Sequence, residues 1–170
     1  MTEPLIVTLL LEEAAQQRFD RLREQHFPPE RNFLAAHVTL FHAVPGEQLD
    51  AVRADLAEAA DRPAFDVAVT GVRFLGRGVA YSLASSEVSA LRAGLVSAWQ
   101  QWLTAQDRQK HAPHVTVQNK VAPAAASVLH ERLLAGFVPY DVRARGLGLW
   151  RYLGGPWEPV AEFAFGPGSA

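Results

Sequence analysis

The sequence predicts an α+β fold built as two pseudo-equivalent lobes, about residues 1–76 and 77–166, within a single bilobal domain. Three observations predict it. The tetrapeptides His37-Val38-Thr39-Leu40 and His114-Val115-Thr116-Val117 are nearly identical and lie 77 residues apart. Each sits in the same order of elements: strand, helix, Pro-bearing loop, His-x-Thr strand, helix, strand. The match also persists beyond the motif. Phe65-Asp66-Val67 followed by Gly71-Val72 corresponds to Tyr140-Asp141-Val142 followed by Gly146-Leu147, at an offset of 75. Two residues of drift across a helix and a loop is what a duplicated fold tolerates. Duplicated lobes place equivalent features about a pseudo-twofold axis, so the two histidine strands are expected to face one cleft.

The elements follow in order. Leu5 to Leu11 is an unbroken apolar run, read as a buried strand. Glu12 to Gln25 has helical spacing through Ala15, Phe19 and Leu22, and His26-Phe27-Pro28-Pro29 ends it because proline cannot continue a helix. A loop over Glu30 to Ala36 leads into the first histidine strand, which runs to Pro45-Gly46. Leu49, Val52, Leu56 and Ala59 mark a second helix. Phe65 to Thr70 and Val79 to Leu83 alternate as strands about the Gly76-Arg77-Gly78 turn. Ser85 and Ser86 offer caps to a long amphipathic helix carrying Val88, Leu91, Leu95, Trp99 and Leu103. Gln106 to Pro113 is read as a loop before the second histidine strand. Pro123 opens a further helix at an allowed first-turn position. Tyr140 to Leu149 and Glu158 to Phe165 close the chain as strands, and residues 167–170 are expected to be a disordered tail.

Composition narrows the function. A 49% hydrophobic content over 170 residues supports a sizeable core. The net charge of −2 gives no global basic footprint for long nucleic acid, but leaves room for a local basic pocket around a small phosphate ester. The absence of cysteine excludes disulfides, thiolate zinc sites and cysteine nucleophiles. No apolar run approaches the ~20 residues that span a bilayer, and no basic-then-apolar leader opens the chain. A cytoplasmic, monomeric protein without membrane contact is expected. No phosphate-cradling P-loop, nucleophile elbow or dinucleotide glycine fingerprint is present.

Strand alternation puts Val38 and Leu40 on one face and His37 and Thr39 on the other, and treats the second copy alike. Two imidazoles across a cleft suit a reaction that needs both a general base and a general acid near neutral pH. A threonine hydroxyl two residues along can donate to a non-bridging phosphate oxygen where charge grows. The scheme requires neither metal nor cofactor. His111 and His114 are three apart, but Pro113 breaks any helix that would pair them, and zinc wants three or four ligands. His42 is expected on the strand face opposite His37. Further substrate-binding candidates are Lys120 and Gln118 on the His114 face, Phe41 on the His37 face, Arg151 as a phosphate clamp, and Tyr152 and Trp150 as base-stacking rings. Trp157 is expected to pack on its Gly-Gly-Pro turn.

The paired His-x-Thr motifs resemble those of the two-histidine (2H) phosphoesterase superfamily, which includes 2′-5′ RNA ligase-like and 2′,3′-cyclic phosphodiesterase proteins. The strings His37-Val38-Thr39-Leu40-Phe41-His42, Pro113-His114-Val115-Thr116-Val117-Gln118-Asn119-Lys120 and Leu149-Trp150-Arg151-Tyr152 carry the resemblance to a bacterial ligase-like branch. It implies His37 and His114 as the catalytic pair and Thr39 and Thr116 as phosphate ligands. The expected architecture is then two antiparallel sheets lining a central cleft, with helices outside. The implied activity is metal-independent hydrolysis of a 2′,3′-cyclic phosphate, or reversible 2′-5′ ligation, at an RNA end or small cyclic nucleotide. Two alternatives stand beside it: a phosphodiesterase for a metabolite such as an ADP-ribose cyclic phosphate, and a non-catalytic module that binds RNA ends or nucleotides.

Overall fold

The computed structural model describes residues 2–166, so the expected tail at 167–170 lies outside the described residues. Among the described residues seven strands and five helices alternate: β1 (Leu5–Leu11), α1 (Glu13–His26), β2 (Val38–Val44), α2 (Leu49–Ala59), β3 (Phe65–Phe74), β4 (Val79–Ala84), α3 (Ser86–Trp99), α4 (Ala105–Arg108), β5 (His114–Gln118), α5 (Pro123–Ala135), β6 (Tyr140–Tyr152) and β7 (Trp157–Ala164). The fold is mixed α and antiparallel β, as the sequence predicts. Two expected loops carry short helical turns, at Pro29–Arg31 and at α4, where the Thr104 side chain caps the Asp107 N–H.

All these strands pair antiparallel, in the order β2-β1-β6-β3-β4-β5, with β7 added to β6. The two expected sheets are therefore joined into one hydrogen-bonded sheet. The reason is the length of β6. Its first part, Tyr140–Ala144, pairs with β3, while Ala144–Arg151 pairs with β1. Each half of the chain thus sends a late strand to the other half: β3 joins β4 and β5, and β6 joins β1 and β2. The β3–β6 register is symmetric. Val67 pairs with Val142, Phe65 with Ala144 and Val69 with Tyr140, so residues offset by 75 exchange partners about one point.

Burial follows local chemistry. All seven residues of β1 are buried, as expected of an apolar run covered on both faces. Ala15, Phe19 and Arg23 form the buried stripe of α1 at i, i+4, i+8. The Ser85 hydroxyl accepts the Val88 N–H and starts α3, whose Val88, Leu91, Leu95 and Trp99 enter the core. Each fully buried large apolar side chain adds roughly 1.5–3 kcal/mol. Helix α1, from the first half of the chain, packs against β5 of the second, which brings the two motif segments under common elements.

Candidate active site

His37 immediately precedes β2 and His114 opens β5. Both rings are partly buried, and both are held in the same way. His37 Nδ1 lies 2.8 Å from the carbonyl of Ala35, and His114 Nδ1 lies 3.0 Å from that of Ala112. A carbonyl only accepts, so each Nδ1 carries the proton and each Nε2 is the nitrogen left for chemistry. The two rings sense one another: His114 is among the charges that depress His37.

Their surroundings differ. Burial, with smaller contributions from Arg23, His114 and His42, pushes His37 down to about 4 despite the Ala35 carbonyl. Its ring lies against the Trp157 indole, with centroids 4.6 Å apart. His114 is also lowered by burial, with Arg73 and His42 adding to the effect. Arg73 Nη1 approaches His114 Nδ1 at 3.2 Å and the Ala112 carbonyl at 3.4 Å. Since Nδ1–H already donates to that carbonyl, the guanidinium is a second donor facing the ring and opposes its protonation.

Thr39 and Thr116 are half-buried on the faces opposite Val38, Leu40, Val115 and Val117, all of which are buried. Their backbone carbonyls are gripped from elsewhere in the chain. Arg23 of α1 donates to Thr116 O at 3.0 Å, and His111 Nε2 donates to Thr39 O at 2.9 Å. Burial lowers His111 to about 4 as well.

A network below the first motif ties it to the segment leading into the second. Asp107 is fully buried and accepts the N–H groups of His42 and Ala43 at 2.8 and 2.9 Å, with His42 Nδ1 at 3.2 Å. Burial alone would raise this carboxyl, but those donors hold it below the usual range. Arg92 of α3 donates to Leu40 O and Asp107 O, and its guanidinium lies over the Phe41 ring.

Two expectations fail together here, for one reason. The β1–β2 register slips between Val7↔Phe41 and Thr8↔Thr39, so Leu40 and Phe41 are both wholly buried. This bulge reverses the alternation. Phe41 therefore packs edge-on against Trp99 in the core and offers no face to a base, contrary to its proposed role. His42, expected on the far face, comes near enough to act electrostatically on His37, His111 and His114. Arg151 pairs through Nε with Glu158 at 3.4 Å, its partner in the β6–β7 ladder, and lines neither of the two cavities beside His37.

Lys120 and Tyr152 line a cavity beside His37 and Thr116. Strand β5 stops at Gln118, so Lys120 reaches the cavity from a turn, not from the strand face. Gln118 is buried. Trp150 donates to the Thr8 hydroxyl at 2.9 Å and, with Trp157, lines a second cavity of about 370 Å³ that also includes His37. Gly148 makes room for that bond, since a Cβ there would come within 2.7 Å of Thr8 Oγ1. Trp157 shares one of these cavities with Gly154 and Gly155 of its turn and also forms a wall of the site against the His37 ring. Among the described residues no three His, Asp or Glu side chains converge so as to hold a metal ion.

The fold has relatives. The chain shares its fold with the protein TT0787 of Thermus thermophilus (TM-score 0.68, 17% identity, 95% of this chain and 97% of that one). It also shares it with E. coli LigT, solved as a complex with 3′-AMP (TM-score 0.60, 17% identity, 97% and 99% covered). A third crystal structure, of a protein described as a phosphoesterase, aligns with TM-score 0.59 and 21% identity over 97% and 99% of the two chains. No curated protein sequence matches. The family model of the 2′-5′ RNA ligase superfamily matches residues 11–156, a span holding both His-x-Thr segments and the network between them, and the chain belongs to that superfamily.

Proposed function

We propose that the protein is a metal-independent phosphoesterase that opens a 2′,3′-cyclic phosphate at an RNA end or on a small nucleotide, with His37 as general base and His114 as general acid. The observation that carries this reading is the matched tethering of both imidazoles through Nδ1, which leaves two Nε2 atoms for proton transfer. The neutral His37 takes a proton from water as the water oxygen attacks phosphorus. The bond from phosphorus to the 3′ oxygen breaks, and that oxygen takes the proton of His114, leaving a 2′-phosphate and a 3′-hydroxyl. The Thr39 and Thr116 hydroxyls donate to the non-bridging oxygens as their charge grows. Base, acid and anion stabilisers are all side chains, so the scheme closes without a metal. The crystal structures of E. coli LigT with 3′-AMP, ATP and NADP+ support a nucleotide ligand for this fold.

The test is turnover of a nucleoside 2′,3′-cyclic phosphate, and of an oligonucleotide ending in one, in the presence of EDTA. Activity is expected to survive the chelator and to fall sharply in both His37→Ala and His114→Ala. Loss of activity with EDTA, or robust turnover in both variants, overturns the proposal. The role assignment also sets the pH profile of kcat/KM. It should be bell-shaped and acid-shifted, with its acidic limb near the His37 value of about 4 and its basic limb, set by His114, below the ordinary imidazole range.

A further inference from the structure

A cavity of about 500 Å³ opens beside His37 and Thr116, and its charge does not match the rest of the protein. Arg23, Arg31 and Lys120 line it, and no aspartate or glutamate does, although the chain as a whole is net negative. Arg23 is the telling member. It is 4% exposed, yet among the described residues no carboxylate oxygen forms an ion pair with it. Its donors go to neutral acceptors, the Asn32 side-chain oxygen at 3.1 Å and the Thr116 carbonyl at 3.0 Å. Asp20, the acid that acts on it from a distance, has Oδ1 committed to the Ala36 N–H and the Gln16 amide. A buried cation with no carboxylate in direct contact is costly, and an anion brought to the cavity relieves that cost.

The rim adds two exposed cations. Arg31 stands at the end of the Pro29–Arg31 turn. Lys120 has a backbone with a positive φ of 62°, held by the Asn119 side chain accepting the Lys120 N–H at 2.9 Å. That conformation is unfavourable for a residue with a side chain, and such strain concentrates where a ligand is gripped. The cavity shares His37 and Thr116 with the reaction centre, but neither His114 nor Thr39 lines it. It therefore extends away from the reacting phosphorus. Phe33 and Tyr152 add aromatic surface to its wall.

We propose that this cavity is a second phosphate subsite. It takes a phosphate of the substrate other than the one held between the histidines. The preferred substrate is then a cyclic-phosphate end that carries at least one further phosphate, whether the 5′-phosphate of a mononucleotide or the internucleotide phosphodiester of an oligonucleotide. The inference rests on the reading of His37 and His114 as the reacting pair.

The experiment compares kcat/KM for adenosine 2′,3′-cyclic phosphate, its 5′-phosphorylated form, and a dinucleotide ending in the same cyclic phosphate. Each is measured at low salt with the wild type and with the double variant Arg31→Ala, Lys120→Ala. At least one extra phosphate should raise kcat/KM about tenfold, chiefly through KM, and the double variant should collapse that ratio toward one. A gain with the 5′-phosphate identifies the mononucleotide source; a gain confined to the dinucleotide identifies the internucleotide phosphate. A wild-type ratio near one, or a ratio that survives in the double variant, overturns the subsite. If no cyclic phosphate turns over, the proposed reaction fails, and the subsite is read by calorimetric titration with 5′-AMP. Weaker binding by the double variant sustains it, and equal binding removes it.

Discussion

The two His-x-Thr segments have nearly the same sequence and are held by the same kind of tether, yet they are built into different electrical surroundings. In each, an arginine from the leading helix of one half of the chain reaches across to the motif strand of the other: Arg23 to Thr116 O, and Arg92 to Leu40 O. These carbonyls occupy closely matching places in the two motifs. Both donate only to neutral acceptors and each has one carboxylate acting from nearby, Asp107 on Arg92 and Asp20 on Arg23, but Arg92 is enclosed beneath the first motif against the Phe41 ring, whereas Arg23 lines the cationic cavity. The imidazoles differ in the same spirit. Both are lowered mainly by burial, but His37 is backed by the Trp157 ring, while His114 has the Arg73 guanidinium at its Nδ1 edge. A repeated backbone supplies equivalent positions. Unequal neighbours make one side a scaffold and the other open to an anion.

The strongest way to break this comparison is to remove either ring. General acid or base catalysis contributes about 10²–10⁴-fold, so His37→Ala and His114→Ala should each lower kcat by that order while leaving the urea midpoint near that of the wild type. A loss confined to one variant would end the picture of two half-sites acting on one phosphate. The arginines should separate next, in stability. Arg92→Met leaves two buried carbonyls, those of Leu40 and Asp107, without their donor; about 2–4 kcal/mol of unfolding free energy should go. Arg23→Met orphans a single backbone carbonyl, that of Thr116, and should cost under ~2 kcal/mol. Equal losses in urea titrations would mean that Arg23 is as fully compensated as Arg92.

Acid should act unevenly as well. His37 and His111 titrate at about 4 in the folded protein and near 6.5 when unfolded. Between those values the unfolded chain binds more protons, so stability should decline as pH falls from about 6.5 to about 4. Asp107 acts lower down: its depressed carboxyl supports the fold above the unfolded value of about 3.9 and loses that support as pH falls through its folded value. Urea midpoints that stay level from pH 7 to 4 would contradict both assignments for the histidines.

What the sequence disclosed was local, and what it hid was remote. Alternation over four residues is enough to read Val38 and Val115 inward, and Ser85 or Pro123 marks a helix start without reference to anything distant. The bulge at Leu40 is invisible in composition, since it depends on how β1 is matched to β2, and that one extra residue moved Phe41 inward and His42 outward. Arg23 looks like a solvated helix residue until Thr116, 93 positions away, is placed beside it. Trp157 carries no signal either. It meets His37 only because the β6–β7 ladder sets it opposite Tyr152. Arg151, by contrast, had a legible alternative in Glu158, seven residues later, since a tight hairpin brings such pairs together.

The finest distinction between the half-sites is Arg73, and it gives the smallest effect. Its guanidinium opposes protonation of His114 and is not among the charges acting on His37. Arg73→Leu should therefore let His114 hold its proton to higher pH, moving the basic limb of the kcat/KM profile upward by a fraction of a pH unit and leaving the acidic limb in place. The variant keeps the Ala112 carbonyl bonded to His114 Nδ1, so the ring should stay in position and the maximal rate should change little. A shift of the acidic limb instead would exchange the roles, making His114 the base and His37 the acid. A profile that does not move would mean that the guanidinium is screened from the ring by solvent, and that burial alone sets the His114 proton.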